Sequence, residues 1–377
     1  MGTETDSTVG VGVGAVTLPG ADAEFPFELA TCRWAEREWP PDGERDRAVL
    51  VARQLGTQSR RWDTVVLECD LAGLTARAAF GPDALSSNQL HVVRHAPADW
   101  AYYRDALPDP GYPWRYVRES VHALSARGAL EHRKRGGKIE IRRIGPYPED
   151  WVRRVVAIEN KPDLDKTAAR ALADQLETDI ALALADEAWV AVRATDDVDE
   201  RLLLEGLPVE AGILAVSDAV GTDADRTSAE VVWHPRSLAV DDPGTRILEN
   251  PDPAESASGY DASAARFEYA DVDWKRRKRL AIAERAYERG WRSYVDAMRP
   301  DCRHFALEAA GDGLVPWCEA KGRCQTSAEC RGACGEFEPE PPAWRTRGWP
   351  IDGGPGKGAR HVLDRRKERR RPAPDDD

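Results

Sequence analysis

A carboxylate and an ammonium group stand two residues apart where an apolar segment of the chain ends. Glu159 and Lys161 close the sequence VVAIENK, and side chains at alternating positions of a strand point to the same face of its sheet. Such a charged pair is costly to bury. It suits metal-assisted hydrolysis, in which the carboxylate binds Mg²⁺ and the lysine orients the attacking water or helps to deprotonate it. The spacing therefore predicts a hydrolytic metal site at Glu159 and Lys161.

A hydrolytic site of this kind needs a second carboxylate. Asp63 begins the apolar run DTVVLEC, which is rich in β-branched residues and predicts a buried strand over residues 63–69. We expect this strand to lie beside the strand that ends at Glu159, which would bring the two carboxylates together. Three other acidic residues are alternatives for this role: Glu68, Asp70 and Asp83.

Five of the seven cysteines fall in one C-terminal segment with the pattern C-x15-C-x5-C-x5-C-x3-C. Clustering of this kind in an intracellular protein indicates a metal site rather than disulfides. Zn²⁺ takes four thiolates, or three thiolates and a histidine. The zinc ligands that we prefer are Cys302, Cys318, Cys330 and Cys334, with Cys324 and His304 as alternates. Reduced thiols without a metal are the other interpretation.

Positive charge is concentrated in three blocks of an otherwise acidic chain. The 377 residues carry a formal net charge of −13, with 44 arginines and 9 lysines, a composition that favours solubility in a salt-adapted cytosol. Residues 127–143 hold seven basic and two acidic side chains, and residues 274–292 and 357–371 each hold eight and two. Such blocks predict contacts with a polyanion, and solvated surfaces are the alternative. The nucleic-acid contacts that we expect in the first block are Arg133, Lys134, Arg135, Lys138, Arg142 and Arg143.

The periodicity of apolar residues predicts the elements that position these side chains. A helix is expected from residue 25 to about residue 53, and the segment DKTAARALADQLETDIALALAD predicts a second, amphipathic helix. This second helix follows one predicted strand and precedes another, an order that predicts a right-handed parallel crossover. A short helix is expected in ERLLLEGL. Besides residues 63–69, strands are predicted at residues 74–80, 151–161 and 188–193 and in EAGILAVS and EVVWHP.

These elements predict an α/β core that is interrupted by an insert. Residues 25–89 and 146–240 form the expected core, and residues 90–145 read as a helix followed by a basic hairpin that turns at Gly136-Gly137, the layout of a winged helix. A Pro- and Asp-rich linker is expected at residues 241–270 and a basic helix with a Cys-rich module at residues 271–338. Residues 1–24 and 339–377 are expected to be disordered.

The chain resembles the PD-(D/E)XK nuclease superfamily at the residues already singled out. The matching positions are Asp63, then Glu159-Asn160-Lys161, then Gln175 in the helix that follows. The resemblance implies a restriction-endonuclease-like core that binds Mg²⁺ or Mn²⁺. It makes Asp63 and Glu159 metal ligands, with the backbone carbonyl of Asn160 as a third. Lys161 would position the attacking water, and Gln175 would contact the site or the substrate.

The resemblance has further implications and one departure. Glu28 is the candidate for the acidic residue that some members carry on their first helix, whereas the first motif reads Trp62-Asp63 instead of Pro-Asp. The cysteine layout is similar to that of some RecB-type nucleases, which implies an iron–sulfur cluster in which Cys32 joins three C-terminal cysteines. The whole chain also resembles an uncharacterised haloarchaeal family.

The expected function is metal-dependent hydrolysis of phosphodiester bonds in DNA. The alternative is a catalytically inactive DNA-binding or regulatory protein on the same fold. The sequence carries no phosphate-binding P-loop and no nucleophile elbow, which argues against an ATP-driven motor and a serine hydrolase. With no long apolar run and no basic leader, we expect a cytoplasmic protein that does not enter a membrane.

Overall fold

The structure is a computed structural model, in which residues 24–41, 48–57, 60–164, 166–194, 206–217, 228–249, 266–291, 302–310, 313–330 and 334–338 are described. The ends expected to be disordered lie outside these ranges, apart from Glu24, and so does most of the helix expected in ERLLLEGL. Among the described residues, no helix is both long enough and apolar enough to cross a membrane.

A six-stranded mixed sheet forms the centre of the protein. In spatial order its strands are β1 (Ala48–Gly56), β2 (Arg61–Cys69), β6 (Val152–Asn160), β7 (Glu187–Arg193), β8 (Gly212–Ser217) and β9 (Ser228–Trp233). The strands β6, β7 and β8 run parallel to one another, and every other pair of neighbours is antiparallel. Helix α6 (Lys166–Leu182) connects β6 to the parallel strand β7, so the expected parallel connection through a helix and the mixed α/β class are confirmed.

Helices cover both faces of this sheet because its central strands are apolar on both sides. Val66, Val156 and Ile158 belong to one hydrophobic cluster with helix α1 (Glu24–Glu38). Their neighbours Val65, Leu67 and Val155 belong to a second cluster with helix α7 (Val272–Arg289). Helix α6 packs against β7 and β8 in a third cluster. Continuous apolar runs, rather than alternating ones, are typical of strands buried on both faces.

The insert between β2 and β6 contains the expected helix and basic hairpin. Its helices are α2 (Leu71–Ala78), α3 (Ser87–His95), α4 (Tyr103–Ala106) and α5 (Trp114–Ala126), and its strands are β3 (Ala101–Tyr102), β4 (Leu130–Arg135) and β5 (Lys138–Arg143). Gly136 and Gly137 both have positive φ angles, +55° and +78°, between β4 and β5. A two-residue turn of this kind matches the twist of the flanking strands and favours glycine.

Three sequence-based expectations were wrong at the level of local structure. The strand expected at residues 74–80 is helix α2, because the Asp70 carboxylate caps it by accepting a hydrogen bond of 2.8 Å from Gly73 N. The first helix ends at Glu38, before the Pro-Pro pair, and residues 48–53 belong to β1. The expected linker at residues 241–270 contains the antiparallel strands β10 (Gly244–Glu249) and β11 (Arg266–Ala270).

The C-terminal cysteine segment forms a small antiparallel sheet. Its elements are β12 (Phe305–Ala310), β13 (Gly313–Cys318), β14 (Arg323–Cys324) and the short helix α8 (Ser327–Cys330). Cys302, Phe305 and Val315 join the hydrophobic cluster that contains α1, so this module packs on the same side of the large sheet as α1.

Candidate active site

Asp63 and Glu159 lie on neighbouring strands of the central sheet. The register of β2 and β6 pairs Thr64 with Ile158, which places Asp63 across from Glu159 at the next position. The backbone N–H of Asn160 donates a hydrogen bond of 3.0 Å to Asp63 Oδ2, which fixes one oxygen of that carboxylate against the end of β6. This juxtaposition is the one that the sequence predicted.

A third carboxylate, that of Glu28, joins the pair through a bridging amide. The Gln54 side chain donates hydrogen bonds of 3.1 Å both to Glu28 Oε1 and to Asp63 Oδ1. Burial raises the pKa of Glu28, and two hydrogen bonds of 2.9 Å from the Arg53 guanidinium oppose that shift. The carboxylate cluster, as we call it, consists of Glu28, Asp63 and Glu159.

Arg60 is the cation that contacts Glu159 of the cluster. Its Nη2 donates a hydrogen bond of 2.7 Å to Glu159 Oε1, and the same guanidinium forms two bonds, of 2.9 and 2.7 Å, with the Asp179 carboxylate on α6. Trp62 Nε1 donates a further bond of 2.9 Å to Asp179 Oδ1. Asp179 is only 3 % exposed, and Arg60 therefore joins the sheet to α6 through two buried acids.

The environment of Glu159 favours its protonated form. Burial raises the pKa of Glu159 to about 8, and the nearby charges of Asp63 and Asp179 add to this effect while Arg60 opposes it. A carboxylate in such a position is stabilised in its charged form by additional positive charge. Buried titratable groups with shifted pKa values of this kind are frequent at functional sites.

Lys161 extends from the end of β6 toward the helix α1. Its backbone N–H donates a hydrogen bond of 2.9 Å to Ala191 O of β7, and its Nζ forms an ion pair of 2.7 Å with Glu24 at the start of α1. Burial lowers the pKa of Lys161, but the bond and charge of Glu24, with the charges of Asp63 and Glu159, leave the pKa above its ordinary value. The ammonium group is therefore charged and partly open to solvent.

Asn160 contributes a buried amide beside the cluster. Its Nδ2 donates a bond of 3.0 Å to Thr64 Oγ1, whereas its Oδ1 is buried without a hydrogen-bond partner in the described part of the chain. The Thr64 hydroxyl also lies 3.3 Å from the thiol of Cys32. Burial raises the pKa of Cys32.

The other acidic residues considered for the second carboxylate lie elsewhere. Glu68, five residues further along β2 and so about 17 Å away, accepts hydrogen bonds from Trp39 Nε1 and Arg154. Asp70 caps α2, and Asp83 is exposed near Arg127. Asp63 is therefore the member of this group that lies beside Glu159.

The α6 residue that contacts the site is Asp179, while Gln175 is exposed one turn earlier. Sequence reasoning missed Asp179, although it lies three residues after Leu176 on the apolar stripe of α6, where an acidic residue is unexpected. It also missed Arg60 and Gln54, whose positions in a turn and on an edge strand carry no local signal.

The donor set of the cluster fits a hard divalent cation such as Mg²⁺, since it offers carboxylate oxygens on two adjacent strands. Among the described residues, however, no group of three or more His, Cys, Asp and Glu side chains is already arranged to hold a metal ion. Oε1 of Glu159 instead accepts the hydrogen bond from Arg60.

The expected nucleic-acid contacts lie on the hairpin β4–β5. Arg133 and Arg142 pair with Glu140 and Glu131 at 2.6 Å, and both guanidinium groups stack on the Trp100 ring, at 4.3 and 4.9 Å from its centroid. The remaining four basic side chains are exposed: Lys134, Arg135, Lys138 and Arg143. The acidic partners of Arg133 and Arg142 neutralise part of the charge that the sequence indicated.

Gln54 adopts a left-handed backbone conformation, with φ of 54°, although it lies in a strand. We expect the free energy of unfolding of Gln54→Gly to be about 1 kcal/mol larger than that of Gln54→Ala. Glycine lacks the Cβ that penalises this conformation, so the glycine variant should be the more stable of the two. Urea unfolding of the two variants measures the difference, since both lose the amide bridge.

The control for Gln54 is Ala48→Gly on the same strand, where φ is not positive. That change should lower stability by roughly 0.5–1 kcal/mol, the usual cost of glycine in a strand. If Gln54→Ala were as stable as Gln54→Gly, the backbone at residue 54 would not be strained.

The fold and the site define a mixed α/β protein that holds a cluster of buried carboxylates at the end of its central sheet. The chain belongs to the family of unknown function DUF5787, which matches residues 50–339. That range includes Asp63, Glu159, Lys161 and the C-terminal cysteines, and α1 precedes it. No curated protein and no solved structure matches the chain.

Proposed function

We propose that this protein hydrolyses phosphodiester bonds in DNA with the help of a divalent metal ion. The observation that carries this proposal is the placement of Asp63 across from Glu159 on β2 and β6, with Lys161 two residues further on. The proposal includes a PD-(D/E)XK-like core. The order α1, β1, β2, β6, α6 and β7 supports it, because the insert accounts for the long separation of the two motifs.

In this proposal, Asp63, Glu159 and the backbone carbonyl of Asn160 hold Mg²⁺ or Mn²⁺. When bound, such an ion polarises the phosphate and lowers the pKa of a bound water. Lys161 leaves Glu24, orients the attacking water and stabilises the negative charge that develops on the phosphate. Arg60 keeps Asp179 in place and donates a hydrogen bond to Glu159 before metal and substrate bind.

Basic side chains outside the carboxylate cluster support DNA as the partner. The exposed ones on the hairpin are Lys134, Arg135, Lys138 and Arg143. A groove of about 1080 Å³ lies between the insert and α7, and five Arg or Lys side chains and five Asp or Glu side chains line it. Val152 at the start of β6 also lines the groove, so it lies about 23 Å from Glu159 along the strand. A duplex that touches both must therefore be longer than about 7 base pairs, at 3.4 Å per base pair.

The purified full chain should cleave plasmid and linear duplex DNA in concentrated KCl with Mg²⁺ or Mn²⁺, and EDTA should stop the reaction. Asp63→Asn should lower the rate by roughly 100-fold, as loss of a metal-site group does. The matched control is Asp83→Asn, which changes an exposed carboxylate outside the cluster and should leave the rate unchanged.

A second result would favour the alternative function. If the protein retards DNA in gels but cleaves neither DNA nor RNA with any of these metals, it is a DNA-binding protein on the same fold. If Asp63→Asn cleaves as fast as the wild type, the carboxylate cluster is not the active site.

A further inference from the structure

Four cysteines of the C-terminal module line one small cavity. Cys302, Cys318, Cys330 and Cys334 surround a space of about 20 Å³, which is the size that accommodates a single water molecule or ion. None of the four forms a disulfide, and among the described residues no three of these thiols are already arranged to hold a metal ion, so binding would have to draw them together. Cys302 and Cys318 are buried, whereas Cys330 and Cys334 are half-buried, so the cavity can be reached from one side.

Four separate parts of the module supply these thiols. The pairing of Phe305 with Cys318 in β12 and β13 brings Cys318 close to Cys302, whose carbonyl accepts a bond of 3.1 Å from Phe305 N. Cys330 ends the short helix α8, and Cys334 follows it. Thiols up to 32 residues apart in the sequence thus line one cavity of this small module.

The remaining candidate ligands are less suited to this cavity. Cys324 is buried on β14 opposite Trp317 and does not line the cavity. His304 does line it, but its Nε2 faces Glu338 at 3.5 Å. Cys32 is not part of the lining either, and its thiol contacts Thr64 on β2.

We propose that Cys302, Cys318, Cys330 and Cys334 bind one structural Zn²⁺ as four thiolates. Zinc accepts a tetrahedral set of four cysteine sulfurs, and their binding releases protons and draws the ligands together. The module spans residues 302–338, and domains below about 40 residues usually need a metal or disulfides to be stable. Zinc would thus stabilise the module against α1, a role independent of the proposed hydrolysis.

Elemental analysis of the purified full chain tests this assignment. We expect one zinc per chain, and we expect Cys318→Ser and Cys334→Ser each to lose it. The matched control is Cys324→Ser in the same module, which should keep its zinc because Cys324 lies outside the cavity. Substitution of the wild-type protein with Co²⁺ should give the absorption spectrum of a tetrahedral tetrathiolate site, a readout that does not require any variant to fold.

Several results would overturn the assignment. Wild-type protein that holds no zinc after dialysis against Zn²⁺ would show that the thiols are simply reduced, and a brown protein that contains iron and sulfide would show an iron–sulfur cluster. Loss of zinc in Cys324→Ser, with retention in Cys318→Ser, would assign a different ligand set. DNA cleavage is a separate readout, so a protein that binds zinc and cuts nothing would refute the proposed function and leave the zinc site intact.

Discussion

Replacing Lys161 by methionine should lower the rate of Mg²⁺-dependent DNA cleavage by roughly 10²–10³-fold, the range found when a group that stabilises developing charge is removed. Methionine keeps an unbranched side chain of similar length but removes the ammonium group, whose pKa lies above its ordinary value beside Glu24. Single-turnover cleavage with saturating enzyme measures the effect, because it separates the chemical step from DNA binding.

Two controls accompany the Lys161→Met variant. Lys321→Met removes a lysine from the Cys-rich module, where Nζ donates to Gln325, and should cleave at the wild-type rate. Glu24→Gln removes only the charge of the ion-pair partner of Lys161, and we expect a change of no more than a few-fold. A Lys161→Met variant that cleaves as fast as the wild type would contradict the role of this lysine.

Replacing Glu284 by alanine should lower the free energy of unfolding by about 3–5 kcal/mol, because it leaves a buried arginine without its charged partner. The Glu284 carboxylate accepts two bonds from the Arg77 guanidinium, one from the Tyr147 hydroxyl and one from Leu85 N. Arg77 and Glu284 are both fully buried, and Arg77 also stacks on Tyr287 at 4.3 Å. The contacts join α7 to α2 and to two other parts of the insert, and chemical denaturation measures their loss.

The control for Glu284 is an ion pair of similar length at the surface. Arg94 and Glu149 lie 2.8 Å apart with side chains 28 % and 52 % exposed, and Glu149→Ala should lower the free energy of unfolding by no more than about 1 kcal/mol.

The double variant Arg77→Met with Glu284→Leu should recover much of the stability, since an apolar pair leaves no buried charge. A loss in Glu284→Ala no larger than in Glu149→Ala would contradict this account.

The strands and the main juxtaposition of the site could be predicted from the sequence because they depend on local pattern. An apolar run that ends in charged residues marks the end of a buried strand. Asp63 and Glu159 lie near such ends on two strands that pair with each other. Helix α2 could not be predicted in this way, because the segment LTARAAF suits either state and the cap at Asp70 decides between them.

The partners of the carboxylate cluster could not be predicted because they are set by tertiary contacts. Arg60 reaches Asp179 over 119 positions of sequence, and no local property of either residue indicates the other. Gln54 bridges two acids because its strand β1 pairs with β2, which carries Asp63, and also packs against α1, which carries Glu28. Charge counting likewise overstated the basic surface of the hairpin, since it ignored the acidic residues that face Arg133 and Arg142.

The two ends of the insert lie next to each other at the central sheet. The backbone N–H of Asp70 donates a hydrogen bond of 3.0 Å to Trp151 O, so the chain returns to the point that it left 81 residues earlier. The whole insert therefore acts as one long loop between β2 and β6. The entropic free energy of closing this loop is only about 3 kcal/mol larger than that of closing a four-residue turn. The pairs within the insert are local, whereas the pairing of β2 with β6 must wait for this closure. We therefore expect Asp63 and Glu159 to meet late in folding, after the insert has formed.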